Sequence, residues 1–494
     1  WYAEAGVDPD YLEIDSEAAW ALATIPGPVT NGLLEYYSIQ SAIDSATAGD
    51  TIHVAEGTYI EQVTIGKSLT LLGDDETTTT IKAPTSGHST ITQGIIPWDY
   101  VVAVDGNGTP IDVKIGGFTI DANGLGGSSS ANFAGVFLRD VGDGTGDGLY
   151  SSTIQNFSNY EVVWSGTYRT WMGNYGIQVY GDSDLVVSDN SIQDYTVSGI
   201  SAVGNNVDVN ISNNDLDGTC SDKFGIFLRE GMGAIGSNKI HNHTLTKDSM
   251  GIYLFDAIDG VTVGSNTIED NYIGILIAYT DSSTIDGNTF TDNSLRSIVV
   301  QQDSHNHVIK GNTITMSNSA ADAAIVIAAS GNNIIGGPTA SDGNTITMPS
   351  SGTGLLYAIW LQNKDTGDLT IQNNEIIGGK RAIQFDGGPG HSGTNTISNN
   401  VISNPGFGGI ISSCHGDFII EDNTILNGVR PMEFWQGGNG DILIKGNIID
   451  GSTCEMINIG SVASVSGIDE NSFSNAASTI LANRTALLID ASPN

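Results

Sequence analysis

Val261-Thr262-Val263-Gly264-Ser265-Asn266-Thr267-Ile268 is the stretch that decides the fold, because its pattern returns about every 24 residues along the chain. Each copy is a short β-branched run, a small or acidic residue, Asn, one further residue and an apolar residue. Such a period, kept over most of a chain, is typical of a solenoid of stacked units. The asparagines of the copies are Asn190, Asn214, Asn238, Asn266, Asn288, Asn312, Asn344, Asn374, Asn400, Asn423, Asn447 and Asn471.

A second series, in which a small residue precedes Ile, keeps nearly the same step; Gly225-Ile226, Gly251-Ile252 and Gly274-Ile275 are examples. Each period therefore holds three strand-like stretches: one before the Asn, one after it and one at this second series. Alternate residues of a strand point to opposite faces, so the apolar faces of three strands would enclose a core. We predict an all-β fold, a parallel β-helix with three strands per coil.

The asparagines are predicted to lie where the chain bends between two strands. Asn tolerates a left-handed backbone, and its amide both donates and accepts hydrogen bonds. Stacked Asn side chains would bond from coil to coil along the axis. We expect a structural ladder from these residues and assign them no catalytic role.

Four segments follow from this pattern. Residues 1–35 lie outside the repeat, and residues 36–50 are predicted to form a short helix, with Ser38 as N-cap, over the N-terminal opening. Residues 51–490 form the β-helix, with a long insertion near 121–175 that holds Trp164 and Trp171. The insertion is expected to form a groove wall or an intersubunit contact, and residues 491–494 are a tail.

A resemblance to a known superfamily enters at residues 38–73. Ser-Ile-Gln-Ser-Ala-Ile, Gly-Asp-Thr-Ile-His-Val, Gly-Thr-Tyr and Leu-Leu-Gly occur there in order and resemble the opening of pectate-lyase-like proteins. The likeness is closest to secreted and cell-surface repeat proteins, and with the Asn repeat it covers most of residues 38–490. It implies a right-handed parallel β-helix, and it does not specify an activity.

The charge balance restricts the partners. With 17 Lys and Arg against 56 Asp and Glu, the net charge of −39 would repel nucleic acid and anionic membrane surfaces. No apolar run is long enough to span a membrane. The Asp-rich segment with Asp140, Asp143 and Asp147 offers hard oxygen ligands, so Ca²⁺ is the cofactor considered, although the spacing of a helix-loop-helix calcium site is absent. A solubilising acidic surface is the alternative.

The location is predicted to be extracellular or at the cell surface. The chain begins with Trp1, so we expect that a leader was removed. Glycosylation sequons add mild support; they begin at Asn107, Asn156, Asn210, Asn242 and Asn483.

The motifs of polysaccharide-cleaving members of the superfamily are missing, so candidate residues come from the outward positions of the third strand. Aromatic and amide side chains there suit a glycan: Tyr180, Phe255, Gln301, Trp360, Gln362, Gln384 and Trp435. Catalytic candidates are expected on neighbouring coils, where an Arg could neutralise a carboxylate and a Tyr could move a proton: Arg229, Glu230, Tyr253, Asp256, Tyr279 and Arg296. Ordinary turn polarity and a covered sheet face are the alternatives. His305 and His307 form a possible metal pair without a third ligand.

Three functions remain open. The first is a structural or adhesive surface protein, such as a sheath, layer or filament subunit that assembles with itself and binds glycans. The second is a polysaccharide lyase or glycoside hydrolase that acts on an acidic extracellular glycan. The third, a periplasmic accessory β-helix for a copper enzyme, is weakened by the lack of a Met, His and Cys cluster.

Overall fold

A computed structural model describes residues 27–128, 130–142, 146–158, 162–165, 170–219, 223–258, 260–362, 367–387, 393–414, 416–435, 440–460, 464–476 and 481–483. Its three long sheets run along one axis, and their strands pair in parallel with their copies one coil away, except where Val29–Asn31 and Thr90–Gln93 pair antiparallel. This is the right-handed parallel β-helix that the repeat and the resemblance predict. We call the sheets first, second and third in the order in which one coil visits them.

The first sheet contains the strands that precede the repeated asparagines: Val29–Asn31, Leu34–Tyr36, Thr51–Val54, Leu69–Gly73, Val113–Gly116, Gly148–Tyr150, Ser183–Ser188, Val207–Ser212, Met232–Gly236, Thr262–Gly264, Thr284–Asp286, Val308–Lys310, Asn333–Gly336, Leu369–Gln372, Thr394–Ser398, Asp417–Glu421, Asp441–Lys445 and Ser464–Asp469. The second sheet contains those that follow: Gly57–Ile60, Thr79–Lys82, Thr119–Asp121, Thr153–Gln155, Ser191–Ile192, Asp215–Asp217, Lys239–His241, Thr267–Glu269, Thr289–Thr291, Thr313–Thr315, Thr345–Met348, Glu375–Gly378, Val401–Ser403, Thr424–Gly428, Ile448–Ser452 and Ser472–Ala476.

The third sheet closes each coil: Val63–Ile65, Thr90–Gln93, Ile96–Asp105, Asn132–Arg139, Asn174–Tyr180, Ser198–Val203, Phe224–Arg229, Met250–Phe255, Ile273–Ala278, Arg296–Gln301, Ala323–Ala328, Tyr357–Gln362, Arg381–Asp386, Gly408–Ser412, Arg430–Phe434, Ile457–Ile459 and Leu481–Asn483. A separate antiparallel hairpin joins Val163–Ser165 to Thr170–Met172, and a short 3₁₀ helix spans Ala340–Asp342.

The core is a continuous stack of apolar side chains inside the three sheets. The register aligns the inward isoleucines of the third sheet from coil to coil, as in Ile226 with Ile252 and Ile252 with Ile275. All three are fully buried. Burial of one such side chain is worth about 1.5–3 kcal/mol, so the same position stabilises the fold in every coil.

The repeated asparagines form an unbroken line at the corner between the first and second sheets. The Nδ2 of each donates to the Oδ1 of the next, over distances of 2.8–3.0 Å from Asn190 to Asn471. The same Oδ1 accepts a backbone N–H, as from Asn266 to Asn288, and the second Nδ2 hydrogen is donated to a carbonyl of the preceding coil. We call this line the asparagine ladder.

The left-handed residue of the corner lies one position earlier than the sequence suggested. Positive φ occurs at the residue before the ladder, as at Asn213, Ser265 and Asp422, and not at the asparagines themselves. The ladder residues must keep an extended backbone because their main-chain N–H groups also bond to the next coil. The bend is left to the small or acidic residue that precedes them.

The N-terminal helix is shorter than predicted and spans Ile39–Ser45. The Ser38 side chain accepts from Ser41 N–H, and the Glu61 carboxylate accepts from Ile39 and Gln40 N–H at 2.8 and 2.9 Å. Its buried face joins the core beside the first coil. Its predicted task of covering the open end stays a prediction, as does the role of residues 1–26, which lie outside the described residues.

Two predicted boundaries differ in the structure. Val29–Asn31 is not outside the sheets, because it pairs antiparallel with Thr51–Val54. The segment 121–175 is not one long insertion, since it contains Asn132–Arg139, Gly148–Tyr150 and Thr153–Gln155, which are strands of the three sheets. The sequence pattern hid this coil because it lacks the corner asparagine.

Candidate functional site

The outer face of the third sheet presents three columns of side chains along the axis. The edge column contains Tyr175, Ser198, Phe224, Met250, Ile273, Arg296, Ala323, Tyr357, Arg381, Gly408 and Arg430. The central column contains Gln178, Ser201, Phe227, Tyr253, Leu276, Val299, Val326, Trp360, Gln384, Ile411 and Glu433. The far column contains Tyr180, Val203, Arg229, Phe255, Ala278, Gln301, Ala328, Gln362 and Asp386.

Two apolar clusters cover much of this face and are separate from the interior core. One surrounds Trp98, Phe137 and Tyr180, and the other runs from Phe224 to Tyr357. Since these side chains point away from the core, their burial comes from packing against one another on the outside of the sheet. The alternation of the strands therefore produces a second, external layer of aromatic residues.

The strand Ser198–Val203 interrupts that layer because its outward residues are small. The strands on either side present large residues: Tyr180 and Gln178 on one, Phe224 and Phe227 on the other. The result is a depression of about 160 Å³, which we call the trench. Its lining residues are Ile96, Trp171, Tyr175, Gln178, Tyr180, Val197, Ser201, Val203, Phe224, Phe227, Arg229 and Glu230.

The hairpin Val163–Ser165 and Thr170–Met172 contributes one wall. Trp171 packs against both external clusters, and the Lys223 ammonium lies 4.1 Å from the centroid of its ring. A cation over an indole face is favourable, and here it holds the ring at the trench. Through Trp171 the hairpin borders the trench, and the choice between a groove wall and an intersubunit contact stays a prediction.

Polar groups of the trench lie on its floor and at its far edge. The Gln178 amide donates to the carbonyls of Val179 and Ser201, at 3.0 and 3.2 Å. The Arg229 guanidinium donates to Glu230 Oε1 from Nε and Nη2, at 3.0 and 2.7 Å. These groups give the aromatic trench a small number of fixed hydrogen-bonding atoms, which is the usual composition of a small-molecule site.

The Tyr180 hydroxyl has no hydrogen-bond partner among the described residues. Burial raises the pKa of Tyr180 well above its usual value, and the positive charge of Arg229 opposes this only weakly. The hydroxyl therefore remains protonated and keeps its donor and its acceptor for a ligand. Three coils further along, burial and the nearby Tyr279 raise the pKa of Tyr253 to about 12.

The catalytic candidates separate in space. Arg229 and Glu230 meet at the trench, while Tyr253 belongs to the cluster on the next coil. Asp256 is exposed after Met250–Phe255, and Tyr279 is 46% exposed. Arg296 is in the edge column, at the opposite side of the sheet from Arg229, and is ion-paired with Asp322. The six residues therefore do not form one proton-transfer site. The spacing of residues in the sequence predicts the coil on which a residue lies, but it does not predict at which end of the strand its side chain is.

The glycan candidates all lie on the third-sheet face, but they are spread along it. Tyr180 lines the trench, and Phe255 lies three coils further along, with its ring 5.9 Å from Cζ of Arg229. The far column also contains Gln301 and Gln362, and the central column contains Trp360 and Gln384. Trp435 directly follows the strand Arg430–Phe434 and is 51% exposed. Trp360 and Gln384 both donate to the Asp386 carboxylate, at 2.9 and 2.6 Å.

The metal candidates take part in the turns of the solenoid. The Asp140 carboxylate accepts from the backbone N–H groups of Gly108 and Asp182, at 2.7 and 2.9 Å. Asp147 is also buried, and Asp143 lies outside the described residues. Within the described ranges, no three His, Cys, Asp or Glu side chains are arranged to hold a metal ion. Calcium therefore stays an expectation from sequence alone.

The sequence reasoning missed Ser201 and the part played by Trp171. A signal was available for the first: two of the three outward positions of this coil are serine, while two of the three on each neighbouring coil are aromatic. No such signal exists for Trp171, because its place depends on the path of the hairpin. The residues that make the depression were therefore harder to find than those that border it.

Comparisons with known proteins found similarity to a family model and to solved structures. Residues 155–337 match the family model described as periplasmic copper-binding protein (NosD). A tailspike protein mutant of E. coli bacteriophage HK620, in complex with pentasaccharide, is similar in structure at 11% identity and a TM-score of 0.47, covering 88% of this chain and 74% of that one. A DFA-IIIase from Arthrobacter chlorophenolicus A6 is similar at 14% identity and a TM-score of 0.40, covering 79% and 88%.

A periplasmic alginate epimerase is similar in structure at 12% identity and a TM-score of 0.36, covering 95% of this chain and 99% of that one. The search of curated proteins found no match. No helix in the described ranges has the length and apolar character needed to cross a membrane.

The described residues of the segment that matches the copper-binding family model do not form a copper centre. His243 is buried between Tyr195 and Asn271, and His307 is buried at a corner where Nδ1 accepts from Ser283 N–H. Burial lowers the pKa of each to about 4. His241 bonds to Asp215, and His305 lies beside Asp281. Each described histidine of this region thus contacts different partners. In the predicted pair, the His305 side chain is partly exposed and the His307 side chain is buried.

Proposed function

We propose that this chain is a glycan-binding β-helix protein that acts outside the cytoplasm and holds a saccharide in the trench. The observation that carries the proposal is the strand Ser198–Val203, whose outward serines leave a depression between the aromatic residues of the neighbouring coils. A sheet that served only as a covered surface would have no need of such a gap.

The chemistry of the trench suits a sugar ring. A pyranose has apolar C–H faces and a rim of hydroxyl groups, so it needs flat apolar walls and a few hydrogen-bonding atoms. Phe227 and Trp171 supply the walls, and the Tyr180 hydroxyl and the Arg229–Glu230 pair lie where hydroxyl groups would meet them. The volume of about 160 Å³ is below the roughly 300–1,000 Å³ typical of drug-sized ligands. One sugar residue of a longer chain is therefore the expected occupant.

Binding is favoured over cleavage by the carboxyl groups. A glycoside hydrolase needs two carboxyl groups on either side of the scissile bond. Among the described residues that line the trench, Glu230 is the only carboxylate, and it is ion-paired with Arg229. Lyase or hydrolase activity on an acidic extracellular glycan remains the alternative proposal.

A structural or adhesive role is a second candidate, favoured by the asparagine ladder. Its unbroken hydrogen bonds from Asn190 to Asn471 stiffen the solenoid along its axis, as a sheath, layer or filament subunit would require. Self-assembly, and any need for Ca²⁺ in it, would be tested by measuring the native mass of the protein with and without a chelator. A mass that stays that of one chain under both conditions would count against this role.

The glycan proposal is tested by screening the full chain on an array of oligosaccharides and measuring the affinity of the best ligand by calorimetry. Phe227→Ala removes one wall, and we expect the Kd to rise about tenfold, the loss of roughly 1.4 kcal/mol of contact energy. Ser201→Phe fills the trench and is expected to abolish binding. Tyr37→Ala, an exposed aromatic residue near the N-terminal helix, is the control and should leave the Kd unchanged. Unchanged affinity in both trench variants would overturn the proposal.

A further inference from the structure

Arg381 differs from the other arginines that the structure describes because it has no carboxylate partner. The others are each ion-paired: Arg139 with Asp105, Arg229 with Glu230, Arg296 with Asp322 and Arg430 with Glu433. Arg381 donates only from Nη1, to the Tyr357 hydroxyl at 3.2 Å and to Gln384 Oε1 at 2.8 Å. In a chain with a net charge of −39, an arginine without a counter-charge is unexpected.

The guanidinium of Arg381 is held between two aromatic rings. Its Cζ lies 5.4 Å from the ring centroid of Tyr357 and 5.2 Å from that of Phe407. Cζ of Arg430 lies 5.1 Å from the same Phe407 ring. Stacking of this kind fixes the plane of the guanidinium, so its remaining N–H groups are pre-oriented. In the described part of the chain, Nε and Nη2 of Arg381 have no partner.

The nearby acids do not supply the missing charge. Asp386 already accepts from Trp360, Gln384 and Ser413, and Asp322 is bound by Arg296. A half-buried cation without a partner is costly, and the four other arginines show how this fold normally avoids that cost. An external anion would complete the site.

The Phe407 ring lies close to both arginines at this end of the edge column. Gly408 lies between Arg381 and Arg430 in the edge column, so this coil adds no side chain there. The side chain of Ile411 occupies the space beside the glycine, since a Cβ at Gly408 would lie 2.4 Å from its Cδ1. Arg430 is ion-paired with Glu433, so Arg381 is the one of these two arginines without a carboxylate partner.

We propose that Arg381, held between Tyr357 and Phe407, is a binding site for the carboxylate or sulfate group of an acidic saccharide. The planar fork of a guanidinium matches two oxygens of either group. The site goes beyond the glycan-binding trench, because seven strand spacings separate Ser198–Val203 from Arg381–Asp386, about 34 Å at the usual spacing. Either site can exist without the other.

The test uses the full chain and calorimetric titration with glucuronate, glucose 6-sulfate, inorganic sulfate and glucose. The two acidic sugars are expected to bind more tightly than inorganic sulfate, and glucose is expected not to bind. Arg381→Gln should weaken the acidic sugars by about tenfold or more, the loss expected for a charge-assisted hydrogen-bonded pair. The matched control is Arg139→Gln, another arginine beside an aromatic ring, whose charge Asp105 already neutralises and which lies far from Arg381; it should change the affinity less than about twofold.

Arg381→Lys guards against a folding defect, because it keeps the charge and loses the fork; its affinity should fall between those of the wild type and Arg381→Gln. Equal affinity of wild type and Arg381→Gln for the acidic sugars would overturn the site. Inorganic sulfate binding as tightly as the sugars would overturn the saccharide assignment. Loss of trench binding in the oligosaccharide screen, with glucuronate still bound, would reject the trench and leave the Arg381 site intact.

Discussion

From Asn190 to Asn471 the corner between the first and second sheets repeats one residue, whereas the central column of the third-sheet face changes from coil to coil. Gln178, Ser201, Phe227 and Tyr253 follow one another there at equivalent positions. The corner lies in the interior, where each amide must bond to the coil above and to the coil below. Side chains on the outer face of the third sheet do not have to form hydrogen bonds from coil to coil in this way. The comparison teaches that buried hydrogen bonding sets the residue at the corner, while the outer face is free to acquire sites.

The largest effect is expected from breaking the ladder at its middle. In Asn288→Ala, two donors of Asn266 lose their acceptor, and the Val263 carbonyl loses a donor. Because all of these groups are buried, we expect the free energy of unfolding to fall by about 3–5 kcal/mol. Chemical denaturation followed by circular dichroism measures this change.

Thr289→Ala is the matched control, since Thr289 is the exposed neighbour of Asn288 on the same strand end. It should shift the free energy of unfolding by less than about 0.5 kcal/mol. Similar losses in the two variants would mean that the corner is no more demanding than the surface, and the contrast drawn above would fail.

The same contrast explains what the sequence could predict. The ladder, the three sheets and the outward positions of the third strand follow from period and alternation, which are properties of single positions. The Arg229 and Glu230 contact is equally local. Arg296, by contrast, was predicted beside Arg229 because it lies on a nearby coil, but it is at the other side of its strand.

The trench could not be predicted with the same tools. The depression exists because Ser201 is much smaller than Phe227 on the next coil. It also depends on the position of Trp171, which belongs to a hairpin outside the repeat. The left-handed corner position was also missed by one residue, because Asn and its Asn, Asp, Gly or Ser neighbour share the same turn preference. The ladder residue differs from its neighbour in one additional hydrogen bond, which its main-chain N–H donates to the side-chain oxygen of the next asparagine.

A second prediction concerns the corner between the second and third sheets. His243 lies there one coil before Asn271, where the following coils have asparagine. His243 Nδ1 bonds to Asn271 Oδ1 at 2.8 Å, and Nε2 bonds to the Tyr195 hydroxyl at 2.7 Å. The ring reaches Tyr195 across Gly218, where a Cβ would lie 2.4 Å from it. Burial lowers the pKa of His243 to about 4, so the folded protein keeps this ring neutral.

The sign of the pH effect follows from this lowered pKa. Below the unfolded pKa of about 6.5 the unfolded chain binds the proton more readily, so stability falls as the pH drops from about 6.5 towards 4. A shift from 6.5 to about 4 corresponds to about 3 kcal/mol for this one group. We expect His243→Gln to reduce the difference in melting temperature between pH 7 and pH 4.5, with His307 causing much of the remainder. An identical pH dependence in wild type and variant would contradict a neutral buried ring.

The smallest effect separates the two regions most sharply. In Tyr180→Phe the hydroxyl is removed from the trench, and because no described residue bonds to it, the melting temperature should stay within about 1 °C of the wild-type value. If the hydroxyl bonds to a sugar, the Kd of the best oligosaccharide should rise about fivefold, the equivalent of roughly 1 kcal/mol. Asn288→Ala has the opposite profile, with lost stability and an unaltered trench. A Tyr180→Phe variant that lost stability and kept its affinity would show that the outer face serves the fold in the same way as the ladder.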